Sequence, residues 1–205
     1  MIYSHKEEEP TEPKETSGEP FGATDEEDPL VGLIGEITEE ASQQIAMMFL
    51  ALNDNKLRQS IDPDTPRPED IEFFISSSGG SISEMFTIYD LMTLLKQRRD
   101  IATFGYGKVA SAAVPLLAAG TPGKRHIAKH ARLMLHHCSS NSGGPLPDAR
   151  SSFNELKKVE EMMVEILADH SNLSAGEIYN ILSRNTDEYF SAEDALEMGI
   201  VDKII

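Results

Sequence analysis

The chain has 205 residues, 40% apolar and 26% charged, which is enough for one domain with a sizeable core and an ordinary globular composition. Its net charge of −17 makes a surface that repels phosphate backbones and argues against nucleic-acid binding. No apolar run is long enough for a membrane-spanning helix, and the single cysteine, Cys138, excludes a disulfide framework and fits a reducing compartment.

Residues 1–29 are rich in Pro, Glu and Thr and read as a disordered acidic arm; residues 1–30 hold ten acidic side chains against two lysines. The arm lacks the apolar stretch of a secretion signal and is too acidic for an organelle transit peptide, which predicts a cytoplasmic protein. Order is expected from Leu30, giving one domain over 30–205. LVGLIGEI (30–37) suits a buried strand, followed by a helix with apolar positions at Ile45, Met48, Phe49 and Leu52. Residues 53–70, with four Asp and three Pro, mark an exposed loop. IEFFIS (71–76) is a strand, SSGG (77–80) a turn, and Ser81 with Glu84 a capping-box signature. The helix that follows has apolar positions at 82, 85, 86, 89, 92 and 95.

DIATFG (100–105) predicts a strand and SAAVPLLAAG (111–120) a helix closed by Gly120; KRHIA (124–128) and RLMLH (132–136) predict two more strands. A long amphipathic helix is expected over about 148–170, a second capped by Ser174 with Glu177, and a short one by Ser191 with Asp194. GIVDKII ends the chain as a strand. Strands alternating with helices predict an α/β fold with a mostly parallel sheet.

Two of these junctions have a chemical use. Paired glycines before a helix give close backbone approach and an exposed amide that can donate to an oxyanion, although a tight turn alone would use them too. SSGG lacks the lysine and the spacing of a phosphate cradle. Ser111 occupies a similar setting, where a serine either caps the helix or acts as a nucleophile. Small neighbours (Ala110, Ala112, Ala113) leave room for a substrate, and Pro115 falls in the first turn, where a missing N–H costs little. A nucleophilic serine needs a base. His5 lies in the arm, His126 and His130 in a basic, exposed stretch, and His170 at a helix end where its cation suits the dipole. His136 and His137 remain, and strand alternation does not choose between them. Contiguous His136-His137-Cys138 cannot wrap one metal ion and no second ligand cluster exists, so no metal site is expected.

FFISSSGGSISEMFTIYDLM, GKVASAAVPLLAAG, KRHIAKHARLMLHH and DEYFSAEDALEMGIVDKI together resemble the ClpP family, the proteolytic subunits of Clp proteases, in order from about Leu30 to the C-terminus. The resemblance implies the ClpP/crotonase-like fold, with repeated β-β-α units, a mostly parallel sheet and an extended handle segment. It implies a serine endopeptidase with a triad of Ser111, His136 and Asp187 and an oxyanion hole formed by the amides of Gly80 and Ala112. It also implies self-assembly into seven-membered rings stacked in pairs, with polypeptide substrates fed by an AAA+ unfoldase.

The chain departs from the family in several places. An acidic arm stands where the family has a pore-lining helix and loop, and the 53–70 loop is long. Phe74 matches one aromatic of the docking groove, while Glu72 and Leu94 replace others. Pro145 and Pro147 fall in the inter-ring segment, where proline removes ladder donors. Asn185-Thr186 replaces the acidic–basic pair that joins rings. A non-catalytic ring subunit and a crotonase-fold acyl-CoA enzyme are the alternatives. The first characteristically loses triad residues and the second needs none, whereas this chain holds all three.

Overall fold

The computed structural model describes residues 30–53, 69–139, 145–184 and 186–205. The arm, nearly all of the 53–70 loop, Asn185 and part of the inter-ring segment lie outside them. Seven strands form one sheet: β1 (Leu30–Ile37), β2 (Ile71–Gly80), β3 (Ile101–Ala110), β4 (Arg125–Ile127) and β7 (Lys203–Ile204) in parallel, with β5 (Arg132–Leu135) parallel to β3 and β6 (Glu188–Phe190) antiparallel to β5. The helices are α1 (Glu39–Leu52), α2 (Ile82–Leu95), α3 (Ala113–Ala118), α4 (Leu146–Asp169), α5 (Ala175–Leu182) and α6 (Ala192–Glu197). This is the α/β architecture that the alternation predicts, in a chain where ββα order appears at β4–β5–α4.

The long strands change register along their length. The register of β1 on β2 shifts between Gly35 and Glu36, and that of β2 on β3 between Ile75 and Ser77. One edge of β3 is divided, with 103–105 pairing β4 and 108–110 pairing β5. That division releases the far end of β3 from the flat sheet and brings β5 alongside it. Strand alternation places Val31, Leu33, Phe73 and Ile75 in a core that α1, α2 and α3 cover. Along α2 the buried stripe is Met85, Ile88, Met92 and Leu95, with Ile82, Phe86 and Tyr89 half-buried at its margin. On α1, Ile45 and Phe49 are buried, but Met48 faces outward.

Several boundaries differ from expectation, some because long-range pairing overrides a local signal. SSGG is not a free turn: β2 runs through Gly80, held by β1 at Ile37. Likewise β3 continues past 105 to Ala110 because β5 pairs its second half. Only Lys203–Ile204 of the C-terminal segment is strand. Gly120 does not cap α3 in a left-handed conformation. The helix stops at Ala118, and a Cβ at Gly120 would collide with the Thr103 side chain. Pro145 and Pro147 open α4 rather than interrupting a ladder, with Pro145 as N-cap and Pro147 in the first turn, where no amide is needed. Ser81 caps α2 by accepting from Glu84 N (3.4 Å), but only that half of the capping box forms; both halves form at Ser174/Glu177 and at Ser191/Asp194.

Candidate active site

Ser111 lies at the end of β3, and helix α3 begins two residues later, at Ala113. Its φ is 54°, the left-handed region, and it is the one non-glycine residue with positive φ among those described. A serine held there costs of order 1–3 kcal/mol, which the surrounding contacts must sustain. Its hydroxyl does not cap α3, whose N-cap is Ala112 with no side-chain bond. The same kink turns Oγ toward β5.

The β3–β5 ladder explains what Oγ meets. Ala110 pairs Met134, and the Ser111 amide donates to Met134 O (2.8 Å), carrying the pairing one residue further. Continued, this register brings the residues after Leu135 beside the nucleophile turn. His136 Nε2 lies 2.8 Å from Ser111 Oγ. His137 points the other way, into a small cavity of about 270 Å³ beside Phe153 and Tyr179. The choice that alternation left open therefore falls on His136.

The antiparallel β5–β6 ladder supplies the carboxylate. Met134 pairs Tyr189 and Leu135 pairs Glu188, so His136 and Asp187 face each other one step beyond the last pair. Asp187 Oδ1 lies 3.5 Å from His136 Nδ1, with the carboxylate side chain 50% exposed and the imidazole 31%. The spacing is that of an ion pair without a short hydrogen bond. The three triad candidates are thus brought together by two ladders that share β5.

The glycines of β2 pack against this turn. A Cβ at Gly79 (φ 84°) would lie 2.7 Å from Ala110 O, 2.7 Å from Ser111 Cβ and 3.1 Å from Ala112 N. Gly80 (φ 147°) approaches β1 so closely that a Cβ would come 2.5 Å from Ile37 O. Only glycine satisfies both the torsion and the contact at either position. The Gly79 amide is already engaged with Ser77 Oγ at 3.0 Å. The contact between Gly79 and the nucleophile turn is one that sequence reasoning missed, although the glycine pair signalled it.

An open cleft of about 840 Å³ runs from the β2–α2 junction past Ser111 and His136 to α4. Among the described residues, its acidic lining consists of Glu36 and Glu155, and no lysine or arginine lines it. Cys138 borders it too, but burial, reinforced by the Glu160 carboxylate, pushes the thiol up to about 12. The thiol stays protonated at neutral pH and does not compete as a nucleophile.

His130 is exposed as expected, whereas two other histidines take places that composition did not suggest. His126 is half-buried rather than exposed, stacked on Phe104 at 4.6 Å in a row that continues through Phe74 to Tyr106. His170 does cap α4, but burial, with the charge of Lys96, holds its imidazole below the ordinary value, so it does not serve as a dipole-stabilised cation. Its Nε2 lies 3.0 Å from Tyr89 Oη.

A model of the Clp protease family matches residues 26–205. The chain is 40% identical over 148 residues to the ATP-dependent Clp protease proteolytic subunit 2 of Streptomyces coelicolor, covering 72% of this chain and 64% of that protein. It is 37% identical over 137 residues to subunit 2 of Bifidobacterium longum, covering 67% and 64%. With subunit 2 of Corynebacterium jeikeium it shares 33% over 179 residues, covering 87% and 79%. The match thus spans just under two thirds of the first two relatives' length.

Proposed function

The chain belongs to the Clp protease family, and from that membership we propose that it is a serine endopeptidase that cleaves unfolded polypeptides by acyl transfer to Ser111. The observation that carries the proposal is the kinked serine, φ 54°, with Oγ 2.8 Å from His136 Nε2. In this reading His136 accepts the hydroxyl proton as Oγ attacks the scissile carbonyl, then returns it to the departing amine. Water repeats the sequence on the acyl-enzyme, and Asp187 stabilises the imidazolium formed at each step.

The amides of Gly80 and Ala112 serve as oxyanion donors. Ala112 opens α3, and its amide meets no acceptor among the described residues; the Gly79 amide is occupied, leaving Gly80 as the donor from β2. The cleft's lining opposes an acyl-CoA substrate, whose phosphates would meet Glu36 and Glu155 with no lysine or arginine among the described residues to receive them. The full assembly in this proposal is paired seven-membered rings in the cytoplasm, served by an AAA+ unfoldase; the relatives' names, ATP-dependent and subunit, support an ATP-driven partner and self-assembly.

The test is fluorophosphonate labelling of the full chain with hydrolysis of short fluorogenic peptides. Ser111→Ala should lose both, with a rate fall of several orders of magnitude and an unchanged fold. Undiminished labelling of the variant would refute Ser111 as the nucleophile.

A further inference from the structure

We propose that Glu188 is a positioning residue that aligns the Asp187 carboxylate from within its own chain. The inference rests on the triad reading above and extends it to a residue that touches neither serine nor histidine.

Glu188 is the last residue of β6 that the sheet holds, paired with Leu135, and Asp187 is the first beyond it. Little else fixes Asp187. It is half exposed, and its polar contacts among the described residues, to His136 Nδ1 and from the Tyr189 hydroxyl, are both 3.5 Å long. At that length neither has the strength to fix a carboxylate. Its location follows from where the preceding segment runs, and Glu188 governs that segment. One carboxylate oxygen, Oε2, accepts from Arg184 Nη1 at 3.0 Å, and the other, Oε1, accepts from the Thr186 hydroxyl at 3.0 Å. A single side chain, anchored by the sheet, thus grips the chain twice on the far side of Asp187 and makes that residue the apex of a closed loop.

The Arg184–Glu188 pair alone would count for little, because Arg184 is well exposed. Two grips from one side chain act differently, since they hold both Arg184 and Thr186, and Thr186 directly precedes the catalytic carboxylate. A displacement of about 1 Å in a reacting group can cost about a hundredfold in rate.

Glu188→Ala in the full chain should lower kcat for a short peptide about ten- to a hundredfold. KM should stay unchanged, because Glu188 does not line the cleft. Glu188→Gln, which keeps one acceptor oxygen, should recover part of the loss. The double variant Arg184→Ala/Thr186→Val removes both grips but leaves β6 intact, and should reproduce the fall in kcat even if Glu188→Ala folds poorly. A kcat within twofold of the parent in that double variant would overturn the proposal. Failure of the peptidase reading is separable, because the parent protein would then neither hydrolyse peptide nor label at Ser111. In that event the carbon-13 NMR signal of the Asp187 carboxylate decides. The proposal requires a single sharp signal in the parent and its shift or broadening in the double variant, and an unchanged signal there overturns the proposal.

Discussion

Gly79→Ala tests how the β2 end supports the nucleophile. The substitution imposes two costs. A φ of 84° is unfavourable for any L-residue with a Cβ, by about 1–2 kcal/mol. The new methyl would also lie 2.7 Å from both Ala110 O and Ser111 Cβ. These neighbours are backbone or fixed to it, so no flexible side chain can yield, and the overpacking adds about 1–3 kcal/mol. Relief requires β2 and the nucleophile turn to separate by several tenths of an ångström, which moves Ser111 and Ala112 relative to His136. Gly123→Ala provides the control. Its φ is 88°, but a Cβ there meets nothing within 4 Å, so it carries the torsional cost alone. Both variants should therefore melt below the parent at matched protein concentration, Gly79→Ala further. Only Gly79→Ala should lose peptide hydrolysis, by about a hundredfold in kcat/KM. Parental kcat/KM in Gly79→Ala would refute the argument, as would equal losses in the two variants.

Two further predictions concern the remaining groups. His136→Ala should be inactive in peptide hydrolysis, whereas His137→Ala, whose ring faces the opposite cavity, should keep most of its activity; the reverse result would reject the β3–β5 register. Arg125, which donates through Nε and Nη2, holds the Asp202 carboxyl below the usual carboxylate range and ties β7 to β4. A carboxyl depressed in the folded state stabilises fully above its unfolded pKa of about 4 and loses that contribution as pH falls through the lower folded value. Asp202→Asn should therefore cost about 1–3 kcal/mol near neutrality, with the gap in melting temperature closing in acid. A gap that stays constant across the acid series would contradict this account.

Much of the architecture follows from local rules. Apolar spacing on α2, the capping boxes at Ser174/Glu177 and Ser191/Asp194, and alternation in β1 and β2 each depend on residues within a few positions of one another. Where a neighbour decided the outcome, the local reading stopped short. β3 extends to Ala110 because β5 pairs its second half, and Gly120 answers to the Thr103 side chain across the fold rather than to the helix it follows. The resemblance to a known family supplied the triad and oxyanion candidates; residue spacing alone left two histidines and many carboxylates.

The sequence by itself determined that strands and helices alternate, that α5 and α6 carry reciprocal caps, and that a serine stands among small residues at a strand–helix junction. Those are properties of periods and of neighbours along the chain. Tertiary structure decided that Ser111 adopts a left-handed kink instead of capping α3, that His136 and not His137 meets it, and that Asp187 lies opposite His136. The last two are consequences of register between strands distant in sequence: a shift of one residue turns every side chain to the other face, and no pattern within a single strand specifies which shift its partner will adopt.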